Sequence, residues 1–402
     1  VSLVERDARA LWHPYTQALG SPGPLPIVSA EGAYLVTGDG RRILDGISSW
    51  WVSVHGHCHP RLADALGRQA RTLDHVLFAG VTHPPAVELA ERLRALTGLD
   101  RVFYSDNGST AVEVALKMAF QYWRNRGERR TRFLALDHAY HGDTVGAMSV
   151  SGIPLFRDTF QDLLFTVDRY RGDIPGDVAA VLVEPILQGA GGMRIHAPAF
   201  LAEVAGRCRA AGTLLIADEV LTGFGRTGRM FACEHAGVRP DILCVAKGLT
   251  GILPFAATLA TEEVYAAFLG DRSRTFFHGH SFTGNPLGCA VAIESLRIFE
   301  EEPVLERARA IGRRLEEGLA PLRGIADVRG IGAVWAAEVP AEGGYLAEIG
   351  PRMAAAALER AVLLRPLGNV LYAMPPFCLT DAEALGLAGV MVDVVREAVG
   401  GT

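Results

Sequence analysis

The chain has 402 residues, is 49% apolar and 21% charged, and carries a net charge of −6. That is enough for two or three packed domains, and it gives nucleic acid no basic footprint. No apolar run reaches the roughly 18 residues of a membrane span, the opening residues are acidic without a signal-like core, and six cysteines show no paired spacing; a reduced cytoplasmic protein without membrane contact, disulfides or zinc is expected.

Taken in chain order, the Gly/Pro-rich segment 20–46 reads as part of a small domain that the C-terminal residues complete. Short apolar runs then alternate with helical patterns. Strands are predicted at 101–105 (RVFYS), 132–136 (RFLAL), 179–185 (AAVLVEP), 213–220 (TLLIADEV), 241–247 (DILCVAK) and 256–261 (AATLAT), with helices over 111–123 and 199–211 between some of them. The runs are apolar throughout rather than alternating, as in a sheet covered on both faces. This predicts an α/β domain with a mainly parallel sheet over 55–300. An amphipathic helix over 301–322 and strand-like pieces around 328–339 and 362–374 predict a smaller α+β domain from 1–54 and 301–402.

In such sheets ligands sit beyond the carboxyl ends of the strands. Glu184, Asp218 and Lys247 each end a predicted strand there. Among 39 basic residues only Lys117 and Lys247 are lysines, and only a lysine can become a neutral amine that attacks a carbonyl. A lysine bonded to pyridoxal phosphate needs a carboxylate that keeps the pyridine nitrogen protonated. Asp218, 29 residues before Lys247, is one β–loop–β excursion away and fits that part; a buried structural ion pair is the competing reading. Asn107, Gly108 and Ser109 form a strand-to-helix turn whose free N–H groups suit a phosphate, or which is simply a helix cap. Lys117 is expected to pair with Glu113 on a solvated helix face.

Two further motifs invite ligand readings. GFGRTG (223–228) matches a dinucleotide fingerprint, but no βαβ unit starts there. HGHCHP (55–60) looks like a metal tract, yet no second ligand group of zinc spacing follows; loop or interface histidines are expected, and no metal site. His278 and His280 are read the same way.

LLIADEVLTGFGRTG, PDILCVAKGLTG and HGHSFTGNPLGCA together resemble the class III aminotransferases, pyridoxal-phosphate enzymes of fold type I, over nearly the whole chain. WHPYTQ (12–17), DGISSWWVSVHGHCHP (45–60), THPPAVELAERL (82–93), AYHGDTVGAMSV (139–150) and RPLGNVLYAMPP (365–376) resemble, more narrowly, the branch that makes diaminopelargonate. The resemblance implies that Lys247 holds pyridoxal 5'-phosphate and shuttles the substrate proton, that Asp218 pairs with the ring nitrogen, and that Gly108 and Ser109 hold the phosphate. It implies that Tyr140 and Glu184 lie beside the cofactor. Gly279, His280 and Ser281 would reach across a homodimer interface to the neighbouring subunit's site. Tyr15, Trp50, Trp51 and Tyr372 would wall the substrate pocket, and Arg365 would clamp a keto-acid carboxylate. The implied substrates are S-adenosylmethionine and 8-amino-7-oxononanoate. Lysine or another ω-amine as donor, an aminomutase and a non-catalytic regulator of the same fold stay open. Leu221 stands where ornithine- and aminobutyrate-type members carry glutamine, which points away from them. His280 and Ser281 replace a proline and a threonine of some members; the serine keeps the hydroxyl.

Overall fold

The computed structural model describes residues 1–400. Its centre is a seven-stranded sheet. Side by side, the strands are Arg101–Ser105, Ala256–Ala260, Ile242–Val245, Leu214–Asp218, Val178–Val183, Arg132–Ala135 and Asp168–Arg169. All neighbours pair parallel except Ala256–Ala260, which runs antiparallel to both of its neighbours. The six predicted strands are therefore all present, within one or two residues at their ends.

Alternation along each strand divides the apolar side chains between two layers. Leu182, Leu214, Ile216, Ile242 and Cys244 pack on one face, together with Val112, Ala115 and Ala119 of the helix Gly108–Asn125. Val181, Val183, Leu215, Leu243 and Val245 pack on the other, against the helices Pro84–Thr97 and Pro198–Ala211. Every residue of the three central strands is buried, which is why these runs show no polar alternation.

The two ends of the chain meet. Val362–Leu363 adds in parallel to Arg42–Asp45, extending an antiparallel sheet built from Ile27–Glu31, Tyr34–Thr37 and Arg42–Asp45. A second antiparallel sheet holds Asp327–Ile331, Val334–Glu338 and Val370–Ala373. The amphipathic helix predicted over 301–322 is present but starts at Val304, and a 3₁₀ turn over Ala320–Leu322 closes it. One helix ends at Glu301 and a new one runs Val304–Leu319. Pro303 lies between them; it has no N–H to donate, and its ring would clash with the preceding turn.

Candidate active site

Asp218 stands opposite Cys244 in the parallel pair, so Lys247 emerges three residues on, beside the Asp218 carboxylate. Val183 pairs with Ala217 on the other side and delivers Glu184 to the same edge. Arg101–Ser105 leads into the helix Gly108–Asn125. Asn107 caps that helix, accepting from the Thr110 N–H at 3.0 Å while the Thr110 hydroxyl accepts from the Asn107 N–H at 3.1 Å. The cap leaves the Gly108 and Ser109 amides unbonded among the described residues. A cavity of about 450 Å³ opens there, lined by Gly108, Ser109, Tyr140, Glu184, Asp218 and Lys247 among others. Gly108 has to be glycine, because a Cβ would lie 2.4 Å from the Val220 methyl. The Ser109 hydroxyl bonds the Thr144 hydroxyl at 2.7 Å and accepts from the Thr144 N–H at 3.0 Å.

Asp218 is 5% exposed. Its Oδ2 accepts from His141 Nδ1 at 2.7 Å and its Oδ1 from the Val220 N–H at 3.0 Å. Both bonds orient the carboxylate. His141 is itself buried, and its Nε2 has no partner among the described residues. This histidine was missed in the sequence. It sits beside Tyr140 in AYHG, but no spacing rule reaches from residue 141 to residue 218. Another loop contact sets Tyr140, whose backbone N–H donates to Glu184 Oε1 at 2.6 Å, while Glu184 Oε2 accepts from the Gly189 N–H at 2.9 Å.

The Lys247 ammonium lies 4.7 Å from the centroid of the Trp51 ring. Burial pulls its pKa down to about 8, against the opposing pull of the Asp218 and Glu184 charges. The residue keeps some exposure to the cavity. Near neutral pH a useful fraction is then free amine, which is what a nucleophile and proton carrier requires. Burial pushes Glu184 the other way, up to about 7 from 4.5. The folded chain therefore binds more protons at Glu184 than the unfolded chain between these values, and the stability this gives is lost as pH rises through that window. Wild type should lose stability relative to Glu184→Gln as pH rises from 4.5 past 7. Denaturant midpoints across that range measure it, and parallel curves for the two proteins would refute it.

A second cavity of about 380 Å³ continues from the first, sharing Trp51, Tyr140, Asp143 and Lys247. Its walls include Tyr15, Trp50, Arg365 and Tyr372. The Tyr15 hydroxyl donates to Asp143 at 2.6 Å, and its ring meets Trp50 edge-on at 5.6 Å. Trp51 is buried and donates from its indole N–H to the Tyr372 hydroxyl at 2.9 Å. Trp50 remains 38% exposed, with the Arg365 guanidinium 4.2 Å from its ring centroid. The two tryptophans leave a strained turn with positive φ at Ser48, Ser49 and Trp51. Such conformations cost on the order of 1–3 kcal/mol each. Buried Asp45 holds the turn, accepting from the Ile47 and Ser49 amides and from His57. Arg365 has no ion-pair partner among the described residues. An unpaired guanidinium facing an aromatic slot is a ready seat for a carboxylate.

Gly279, His280 and Ser281 line neither cavity within a single chain; Gly279 and Ser281 are exposed. Lys117 does not pair with Glu113. Its Nζ bonds His278 Nδ1 at 2.9 Å, and Glu113 instead accepts from the Gly146 and Ala147 amides at the start of the helix Val145–Val150. The local i,i+4 pair loses because those two amides are orphan helix donors that need an acceptor. In GFGRTG the loop is buried and no long helix follows; the Arg226 guanidinium donates to the Pro375 carbonyl at 2.8 Å. His55 bonds Ser295 and His57 bonds Asp45, so the tract is divided between separate partners.

Pyridoxal phosphate fits these residues. The two free amides and the dipole of an 18-residue helix suit its phosphate, Asp218 lies deep enough to hold a proton on the ring nitrogen, and Lys247 is within the same cavity. The family model described as aminotransferase class-III matches residues 16–172 and 153–395. The chain belongs to this family and is a pyridoxal-phosphate-dependent aminotransferase of mixed α/β fold. It is 49% identical to the adenosylmethionine-8-amino-7-oxononanoate aminotransferase of Synechococcus elongatus, over 96% of this chain and 98% of that one. It is 42% identical to the enzyme of the same name from Geobacter sulfurreducens, over 95% and 94%. The crystal structure of the enzyme of that name from Methanocaldococcus jannaschii superposes with a TM-score of 0.93 at 37% identity, covering 98% of each chain. A PLP-bound amine transaminase from an uncultivated Pseudomonas species gives 0.90 at 33% identity, covering 97% of this chain and 98% of that one.

Proposed function

We propose that the chain moves the amino group of S-adenosylmethionine to 8-amino-7-oxononanoate, giving 7,8-diaminononanoate for biotin biosynthesis. The observation that carries this reading is the aromatic slot that ends at unpaired Arg365 and opens directly onto Lys247. A long aliphatic keto acid needs an apolar channel with one anion seat at its far end, and the names borne by the two relatives described above agree. Leu221 lines the cofactor cavity and offers no polar contact there.

The bound cofactor supplies an electron sink for the substrate carbanion. Asp218 would keep the proton on the ring nitrogen, and His141 fixes the carboxylate. Lys247 would anchor the cofactor and, as a free amine, carry the proton that leaves the substrate carbon and is returned to it. Trp51 and Tyr140 cover the site and exclude water. Donor and acceptor use one site in turn, a ping-pong sequence. In this reading the enzyme is a cytoplasmic homodimer, and Gly279, His280 and Ser281 complete the partner's site. Residues 55–300 would form the cofactor domain, and 1–54 with 301–402, of which the last two residues lie outside the described ones, the smaller one.

The test is the visible absorption of holoenzyme given S-adenosylmethionine without acceptor. The cofactor spectrum should pass to that of its aminated form, and 8-amino-7-oxononanoate should restore it. A spectrum that S-adenosylmethionine leaves unmoved, but that lysine or another ω-amine shifts, would overturn the donor assignment.

A further inference from the structure

The substrate cavity has one wall that no sequence motif announced. Residues 343–347 form a short loop around the single turn Gly344–Leu346, with Gly343 at φ 94° and Gly344 at φ 54°. The loop brings Tyr345 into the cavity that also holds Arg365. The Tyr345 ring meets Phe156 edge-on at 5.0 Å, and Phe156 in turn meets Tyr15 at 5.4 Å and Tyr140 at 5.9 Å. Tyr345 is thus locked into the aromatic box beside the cofactor cavity, although it lies on a surface loop.

The same loop is seated on the turn that follows Arg365. A Cβ on Gly368 would lie 2.0 Å from the Gly344 carbonyl oxygen and 2.5 Å from Tyr345 Cα. Gly368 itself has φ 61°, and a Cβ on Gly350 would lie 2.6 Å from its carbonyl oxygen. Glycine at 368 therefore lets the two segments touch, and their contact fixes Tyr345 relative to Arg365. The Tyr345 hydroxyl has no hydrogen-bond partner among the described residues. Burial raises its pKa above the ordinary tyrosine value while the Arg365 charge pulls the other way, so at neutral pH it is a donor.

We propose that Tyr345 is a specificity-determining residue, whose hydroxyl donates to the same substrate carboxylate that the Arg365 fork engages. This rests on the reading that a carboxylate-bearing acceptor occupies the cavity. A carboxylate has more acceptor positions than one guanidinium fills, and a neutral phenol adds a charge-assisted bond without adding charge. Together the two donors select an acid over its amide or ester.

Tyr345→Phe keeps the ring against Phe156 and removes only the hydroxyl. Calorimetric titration of holoenzyme with nonanoate and with nonanamide reads the effect directly. Nonanoate should bind about 10-fold more weakly to Tyr345→Phe than to wild type, and nonanamide should bind the two equally. In turnover, KM for 8-amino-7-oxononanoate should rise by a similar factor with kcat little changed. Arg365→Ala separates the two claims. If it loses nonanoate while Tyr345→Phe binds like wild type, the Tyr345 assignment is overturned and the carboxylate seat stands. If both variants bind nonanoate like wild type, or wild type does not bind it, the carboxylate reading of the cavity falls and the Tyr345 assignment falls with it.

Discussion

Lys247→Ala is expected to lower turnover on the order of 10⁴-fold while the protein folds and still takes up pyridoxal phosphate. The loss follows from the proposed mechanism, in which one amine is both the covalent anchor and the proton carrier, and no other lysine lies near. Lys117, the only other lysine, is exposed, bonded to His278, and lies about two turns along the helix from Gly108 and Ser109, outside the cofactor cavity's lining. The fold should tolerate the change. Lys247 makes no ion pair among the described residues, and its backbone already sits at φ 48°. Alanine meets the same left-handed penalty that lysine does, so no new strain arises. Removing a cation from a site where burial depresses its pKa also relieves a desolvation cost. Two measurements decide the matter. Single-turnover rates should collapse, and borohydride reduction of wild-type holoenzyme should fix the cofactor on the peptide carrying residue 247. Label on Lys117, or turnover near wild type in the variant, would refute the assignment.

The contrast between Lys247 and His141 shows what was legible in the sequence. Asp218 and Lys247 end consecutive parallel strands, so their spacing along the chain maps directly onto neighbouring positions in the sheet. Strand-end chemistry is legible because apolar runs mark the strands and topology then places their ends. His141, Glu113 and Tyr345 act through loop and helix-end contacts between distant segments, joining residue 141 to 218, 113 to 146, and 345 to 368. No periodicity encodes such pairings. The later start of the helix Val304–Leu319 was legible in principle, since a proline near the beginning of a helical pattern marks its boundary; Glu301 ends the preceding helix instead. Lys117 shows the opposite error. A local i,i+4 pair worth a few tenths of a kcal/mol was given more weight than the two unsatisfied amides that claim Glu113.

Asp218→Asn should cost about 10³-fold in turnover, a magnitude typical of deleting one well-placed electrostatic partner. Asparagine is nearly isosteric and can still accept from His141, so its failing is chemical. It cannot hold a proton on the ring nitrogen, and the ring then drains charge poorly. The substitution has a second, separable signature. The Asp218 charge raises the Lys247 pKa against desolvation, so its removal should let that pKa fall further below about 8. The limb of the pH–rate profile that reports the free amine should move to lower pH, while the plateau drops. Asparagine has one acceptor where aspartate has two, so either the His141 or the Val220 bond is lost; a loss of about 1–3 kcal/mol in stability follows, readable as a lower denaturant midpoint. His141→Asn serves as the control. It leaves the carboxylate in place but loosens it, so turnover should fall less than in Asp218→Asn and the Lys247 limb should move less. If His141→Asn matched Asp218→Asn in both rate and pH profile, the histidine rather than the aspartate would be the group the chemistry depends on. If Asp218→Asn kept wild-type turnover, the pairing of Asp218 with the ring nitrogen would be wrong.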